Sequence, residues 1–384
     1  MTSRERVLAA LAHQTPDRIP LDLGGTLATL MTESAHQRLR AHLGVDDAAP
    51  PRIFSRRSTT VIPDECILER FQVDCRAVLL GDPDVNADRD VDDGLIDEWG
   101  VTWVRPESGH YIPARGPFQD IADPDAAMLN GRRWPDAGDP GRYRGLRERA
   151  RELHEGTGYA VILNLAVGPV HLCQYLRGYG EWLMDLLERP AFAEALLEVA
   201  ASFHIEVATR ALNEAAPFVD AVCFGDDIGT QQRPLMRPDL YRRIIKPRHR
   251  RMVDAVKRFG KPVIYHSCGA IHPLIPDLLD FGIDALNPVQ VSAAGMDTAR
   301  LKREFGARLT FWGGVDTQAV LSRGTPDDVR REVKRRIDDL AGDGGYVLCA
   351  VHNIQGEVPP SNVVAMFDAA LEYGHGRAAV STST

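Results

Sequence analysis

The chain has 384 residues, 44% hydrophobic and 26% charged, an ordinary globular composition that excludes a largely disordered protein. Its 45 Lys and Arg stand against 54 Asp and Glu, a formal net charge of −9, and an acidic balance argues against nucleic acid as a partner. No apolar run approaches the ~20 residues a membrane span needs, the polar start MTSRER carries no signal-peptide pattern, and six cysteines without short regular spacing make no disulfide framework; the expectation is a cytoplasmic protein with reduced thiols and no membrane partner.

A first helix is expected over residues 3–13, with Val7, Leu8 and Leu11 at helical spacing and Thr2 or Ser3 as cap. Short apolar runs bounded by turn residues follow: 19–23 (IPLDL), 73–79 (VDCRAVL), 159–165 (YAVILNL), 219–224 (VDAVCF), 262–266 (PVIYH), 283–286 (IDAL), 309–312 (LTFW) and 346–351 (YVLCAV). Most are apolar on both faces, as doubly buried strands are. Helical segments separate them. Residues 169–214 hold two helices broken near Arg189-Pro190, and residues 238–259 carry an apolar stripe through Leu240, Ile244, Met252 and Val256. A third segment, 326–340, has Thr325 as N-cap and Pro326 at the first helical position.

Eight strands with helical crossovers predict an α/β fold, a single (β/α)8 TIM barrel over residues 1–376. The region from about 81 to 158 fits least well. It holds a hairpin-like stretch at 98–104 (EWGVTWV) and a loop rich in Asp, Pro and Gly at 120–143, and reads as an insertion after the second strand. Residues 377–384 (RAAVSTST) read as a disordered tail.

The most informative stretch is 263–269 (VIYHSCG). His266 and Cys268 lie two apart at the C-terminal end of a predicted strand, so both side chains point the same way, ~6.6 Å apart at Cα for a rise of ~3.3 Å per residue. That end is the face where barrel enzymes place their chemistry. Cys349 lies near the end of the last predicted strand and faces the same mouth in a closed barrel. His266, Cys268 and Cys349 therefore form a candidate three-ligand Zn2+ site whose open fourth position marks catalytic zinc. A substrate thiol there loses its proton and becomes a nucleophile for alkyl transfer. Cys66, Cys75, Cys173 and Cys223 read as small buried hydrophobes.

Residues 3–10 (SRERVLAA), 16–20 (PDRIP), 97–103 (DEWGVTW), 225–247 (GDDIGTQQRPLMRPDLYRRIIKP), 266–269 (HSCG) and 313–318 (GGVDTQ) resemble the uroporphyrinogen decarboxylase superfamily over nearly the whole chain. The resemblance implies a barrel of the type already argued. The porphyrinogen decarboxylases of that superfamily carry Arg-Gln-Ala-Gly-Arg after the first strand; here that place reads 21–26 (LDLGGT), without the arginines that grip substrate carboxylates. The other branch, the corrinoid-linked methyltransferases, has a zinc motif of His-x-Cys and a later Cys, which His266, Cys268 and Cys349 match. The resemblance implies a methyl group moved between a corrinoid protein and a thiol or a pterin. The chain lacks Asp-x-His-x-x-Gly, the pattern that supplies an axial histidine in cobalamin-binding modules, so the corrinoid is expected on a separate protein.

Asp226 and Asp227 follow the fourth predicted strand and read as a fourth zinc ligand, a general base or a substrate-orienting group, or else as a cap for the loop 228–232. Asp22 and Asn164 either line the pocket or bond loop backbone. Gln290 and Asp316 resemble family positions near the mouth. His272 reads as a capping or packing residue, and His352 as a bonded loop histidine that otherwise enters the pocket. The basic run from Arg242 to Arg258 reads as a solvated face with ion pairs. The expected function is zinc-dependent methyl transfer. The alternatives are a metal-free lyase acting on a carboxylated cyclic substrate through Asp22 or Asp226, and a non-catalytic protein on an enzyme scaffold.

Overall fold

The computed structural model describes residues 1–45, 50–106 and 109–375. The expected tail 377–384 lies outside the described residues. Seven parallel strands form one curled sheet: β1 (Cys75–Leu79), β2 (Ala160–Val167), β3 (Ala221–Gly225), β4 (Val263–His266), β5 (Ala285–Asn287), β6 (Thr310–Val315) and β7 (Tyr346–Ala350), each beside its neighbour in chain order. Residues 20–22 join the two edges. Leu348 N donates to Pro20 O at 2.9 Å, Asp22 N to Leu348 O at 3.0 Å and Asp74 N to Leu21 O at 2.9 Å. The barrel is thus closed by the first expected strand, here a single bridge at Leu21. A longer ladder is ruled out locally, because Pro20 has no N–H and the Leu21 N–H goes to Asp74 Oδ2 at 2.8 Å. Buried Asp74 also pairs with Arg6 and Arg18, each at 2.7 Å, and so ties the first helix and the closing segment to β1.

The strand alternation sorts the core into two parts. Val263, Tyr265, Val222 and Phe224 join the large cluster between sheet and helices. Ile264, Cys223, Cys75, Trp312 and Cys349 belong to a second cluster inside the barrel. The first helix, Ser3–Leu11, is held by a capping box of Thr2 and Glu5. Its Val7 and Ala10 join the inner cluster and plug the barrel's N-terminal end.

Between β1 and β2 the chain forms a four-stranded antiparallel meander (Arg89–Val91, Gly94–Ile96, Thr102–Val104, Ile112–Arg115), followed by the crossover helix Leu146–Gly156. Leu95 and Trp103 of the meander are buried in the cluster that also packs the barrel helices. A short three-stranded sheet (Met31–Thr32, Thr60–Ile62, Arg52–Ser55) was not expected. Residues 169–215 hold three helices, not two: Pro169–Arg177, Tyr179–Glu188 and Pro190–Ala215. The extra break falls at Gly178, whose φ of +96° few other residues adopt. The segment from Pro238 passes through a π-helical turn at Tyr241–Ile245 just before Pro247, which has no N–H for the regular ladder. Its basic residues are paired as expected, Arg242 and Lys246 with Asp277, Arg248 with Glu198 and Arg250 with Asp280. Among the described residues no helix is long and apolar enough to cross a membrane.

Candidate metal centre

The sheet sends Ile264 into the barrel and His266 after it, at the rim, where β4 ends. His266 is buried, and its Nδ1 lies 2.9 Å from Asn287 Oδ1 on the neighbouring strand β5. The Asn287 amide Nδ2 reaches Trp312 O at 3.5 Å, which orients the amide so that its oxygen accepts from His266 Nδ1–H. The opposite nitrogen, Nε2, then faces the mouth, 3.7 Å from Cys268 Sγ and 3.5 Å from Asp227 Oδ1.

Cys268 sits one turn of chain beyond the strand. Its N–H donates to Asp227 Oδ1 at 2.8 Å, and the next residue, Gly269, donates to Gln290 Oε1 at 2.7 Å. Gly269 has φ +97°, and a Cβ there would come within 2.4 Å of Gly229 backbone, so this close crossing requires glycine. The third donor is His352. Ligand atoms of His266, Cys268 and His352 all lie within 4.8 Å of one another, the one such group among the described residues. Residues 352–354 are stitched to 30–32: Leu30 N donates to Asn353 Oδ1 at 2.8 Å, Ile354 N to Leu30 O and Thr32 N to Ile354 O, both at 2.9 Å.

Cys349, the third ligand expected from the sequence, is not among the three residues whose ligand atoms lie within 4.8 Å of one another. Its thiol lies in the inner barrel cluster with Cys75 and Cys223, near Asp22, fully buried. Burial pushes that thiol well above its usual range, against the thiolate form. The cause is the layering of the barrel. A residue inside the last strand fills the lumen, while His352, three positions later, has left the strand and turns over the rim.

Without a metal, the rim carries Asp227 as an anion and His266 as its protonated partner. Burial lowers the proton affinity of His266, but Cys268 and Asp227 outweigh it and raise the imidazole to about 10. Burial raises the Asp227 carboxyl, yet His171 and His266 hold it well below the ordinary carboxylate range. His352 is pushed down to about 4 by burial and by the charge on His266, so its ring is neutral, the form that ligates metal. Two imidazoles and one thiol converging on a point, one ring fixed by an outer amide, fit a zinc ion.

The remaining expected site residues have the following partners. Buried Asp226 caps no part of the loop 228–232; it accepts from Val170 N and His171 N at 3.0 and 2.9 Å, at the start of helix Pro169–Arg177. Asp22 accepts from Gly25 N, Thr29 Oγ1 and Trp312 Nε1 at 2.8, 3.0 and 2.8 Å, and burial lifts its carboxyl to about 6. Asn164 Nδ2 donates to Gly25 O at 2.9 Å. Gln290 bridges Gly269 and Gln231, and Asp316 Oδ1 accepts from Gln318 N at 2.7 Å. His272 pairs with Glu304 at 2.6 Å, away from the cluster. Sequence reasoning missed Asn287 and His171. A histidine in the first turn after the Gly168-Pro169 step that ends a strand was the available signal for the latter.

Known proteins agree with this architecture. The chain is 25% identical over 236 residues to a methylcobamide:CoM methyltransferase MtbA of Methanosarcina mazei, an alignment spanning 61% of this chain and 65% of that relative. It is 23% identical over 375 residues to the MtbA of Methanosarcina acetivorans, covering 97% and 98% of the two chains. A uroporphyrinogen decarboxylase of Syntrophotalea carbinolica is 32% identical over 136 residues, 35% of this chain and 37% of that one. The fold matches the solved structure of a methyltransferase from Methanosarcina mazei with a TM-score of 0.67 at 18% identity, over 97% of this chain and 99% of the other. Residues 122–373 match the family model described as uroporphyrinogen decarboxylase (URO-D), and with that span the chain belongs to the URO-D family.

Proposed function

We propose that the protein is a zinc-dependent methyltransferase that moves a methyl group between a corrinoid protein and a small molecule, a thiol or a pterin. The observation that carries the reading is the convergence of His266, Cys268 and His352 at the C-terminal rim. The relatives named methylcobamide:CoM methyltransferase favour methyl transfer linked to a corrinoid. In this reading the enzyme works in the cytoplasm with its cysteines reduced.

His266, Cys268 and His352 would hold the ion, leaving a fourth position for the substrate. Zinc supplies the Lewis acidity that keeps a substrate thiol ionised at neutral pH. Asn287 holds the His266 ring with Nε2 outward, and Asp227 fixes the backbone of Cys268. The barrel wall behind the rim is apolar, which keeps water from competing for the transferred group. The carboxylates that a metal-free lyase would use, Asp22 and Asp226, are each already engaged by several N–H or O–H donors.

Metal analysis of the purified chain tests the reading. One zinc per chain is expected, lost in Cys268→Ala, together with methyl transfer from methylcobalamin to 2-mercaptoethanol followed by absorbance. Unchanged zinc content in Cys268→Ala would refute the site.

A further inference from the structure

Helix Pro169–Arg177 starts directly after β2, and its first turn carries His171. Asp226 holds this turn by three bonds, from Val170 N at 3.0 Å, His171 N at 2.9 Å and His171 Nδ1 at 3.1 Å. From the other side, His249 Nε2 reaches Asp226 Oδ2 at 2.9 Å, and the Tyr241 and Tyr265 hydroxyls lie 3.2 and 3.1 Å from His249 Nδ1. An ionised carboxylate only accepts, so His171 Nδ1 and His249 Nε2 carry protons. Asp226 and His249 are each 1% exposed, so the carboxylate is held by protein groups rather than by solvent. Gly168 permits the approach: a Cβ there would lie 2.5 Å from Asp226 Oδ2.

With Nδ1 anchored, the other ring nitrogen is aimed. His171 Nε2 lies 3.6 Å from Asp227 Oδ2, and Asp227 Oδ1 lies 3.5 Å from His266 Nε2. His171 is thus one carboxylate away from the metal cluster, with 16% of its side chain open. The titratable groups facing it are Asp226 and Asp227 beyond β3, Tyr175 on its own helix, Tyr179 on the next and Cys268 beyond β4. Burial opposes protonation of the ring, but Asp226 and Asp227 outweigh it and hold the imidazole well above its ordinary value. A buried polar network of this extent is costly unless every member is satisfied, and binding of zinc makes no use of it.

We propose that His171 is the proton donor of this site, and that the small molecule therefore releases its methyl group from a nitrogen or an oxygen. The inference rests on the methyltransferase reading above and revises its small molecule, keeping the nitrogen-methylated pterin, adding oxygen-bound methyl groups and setting the thiol aside. In the demethylating direction the electron pair of a reduced cob(I) corrinoid forms the cobalt–carbon bond. The carbon–nitrogen or carbon–oxygen bond breaks, its pair stays on the heteroatom, and the heteroatom takes the proton from His171 Nε2. In the methylating direction the same proton returns to His171. A thiolate is a stable leaving anion and needs no such donor.

The test uses the full-length zinc-loaded chain and free cob(I)alamin, with methylcobalamin formation read by absorbance. The probes are N5-methyltetrahydrofolate, 2-methoxyphenol and 2-(methylthio)ethanol. His171→Asn is compared because its amide keeps a donor toward Asp226 but has no second nitrogen at the mouth. Wild type is expected to demethylate the nitrogen or oxygen probe, and the variant to lose about 100-fold or more in kcat with KM and zinc content unchanged. Long-range 1H–15N spectra of the wild type are expected to show one histidine, absent from His171→Asn, with both ring nitrogens protonated at neutral pH. Full activity in the variant overturns the proposal, as does a neutral His171 ring. So does a zinc-bearing wild type that demethylates only the sulfur probe or none. A variant in which thermal midpoint, zinc and activity fall together indicates a structural role and also overturns it. Protein that binds no zinc at all overturns the metal reading itself, so the two failures are separate results.

Discussion

His266 and Asn287 meet across two adjacent strands, Nδ1 to Oδ1 at 2.9 Å, and this bond decides which imidazole nitrogen looks out of the barrel. Once a metal displaces the Nε2 proton, this bond keeps Nδ1 protonated and leaves the Nε2 lone pair to the metal. Asn287→Leu keeps the volume and removes the acceptor. Zinc affinity is expected to fall about 10–100-fold, as for other outer partners of metal-bound histidine, measured by competition with a chromophoric chelator. Affinity equal to wild type would show that ring orientation does not depend on this bond.

His352 and Cys349 separate the two possible ligand sets. His352→Ala is expected to weaken zinc binding by more than about 100-fold, beyond the effect of an outer partner. Cys349→Ala is expected to keep one zinc per chain and to cost about 1 kcal/mol of stability through a small buried void. The reverse pattern of zinc contents would restore the set read from the sequence.

Asp74 closes the barrel rather than serving its chemistry. It accepts from Arg6, Arg18 and Leu21 N, all in the N-terminal segment, at 2.7, 2.7 and 2.8 Å. Asp74→Ala leaves two arginines near a buried position without their carboxylate, and a loss of about 3–5 kcal/mol is expected in urea unfolding. Zinc bound by whatever fraction remains folded should stay at one per chain, because the rim lies at the opposite ends of the strands.

Asp22 gives the protein a pH signature. Burial raises its carboxyl from 3.8 to about 6, against the pull of the Trp312, Gly25 and Thr29 donors. The folded state therefore binds more protons than the unfolded state between these values, and stability falls as pH rises through that window. A shift of this size corresponds to about 3 kcal/mol at full ionisation. Asp22→Asn should flatten the decline between about pH 4 and 6 in unfolding experiments. An unchanged slope would assign the decline to other groups.

Much of the barrel was legible in the chain because its strands are short apolar runs separated by helical periodicity, and each lies within about one residue to three residues of where the pattern put it. The exceptions have local causes: the closing segment makes one bridge because Pro20 lacks a donor and Asp74 takes Leu21 N, and Gly178 divides a helix that apolar spacing runs together. The meander's pairing was visible only as one hairpin, since the partners of its outer strands are set by register and not by composition.

The sequence by itself determined that His266 and Cys268 lie on one side of a strand end, because side-chain direction over two residues is a property of the local backbone. Which distant residue completes the cluster was decided only by the closed barrel. The curl of seven strands and their closing segment puts Cys349 into the inner cluster and His352 beside His266 and Cys268. Asp226 was read from the sequence as a ligand, base or substrate-orienting group or else a cap for its own loop, and in three dimensions it holds a helix that begins more than fifty residues earlier. Local geometry is written in neighbouring residues; the meeting of separate strand ends depends on how the whole sheet curls and closes.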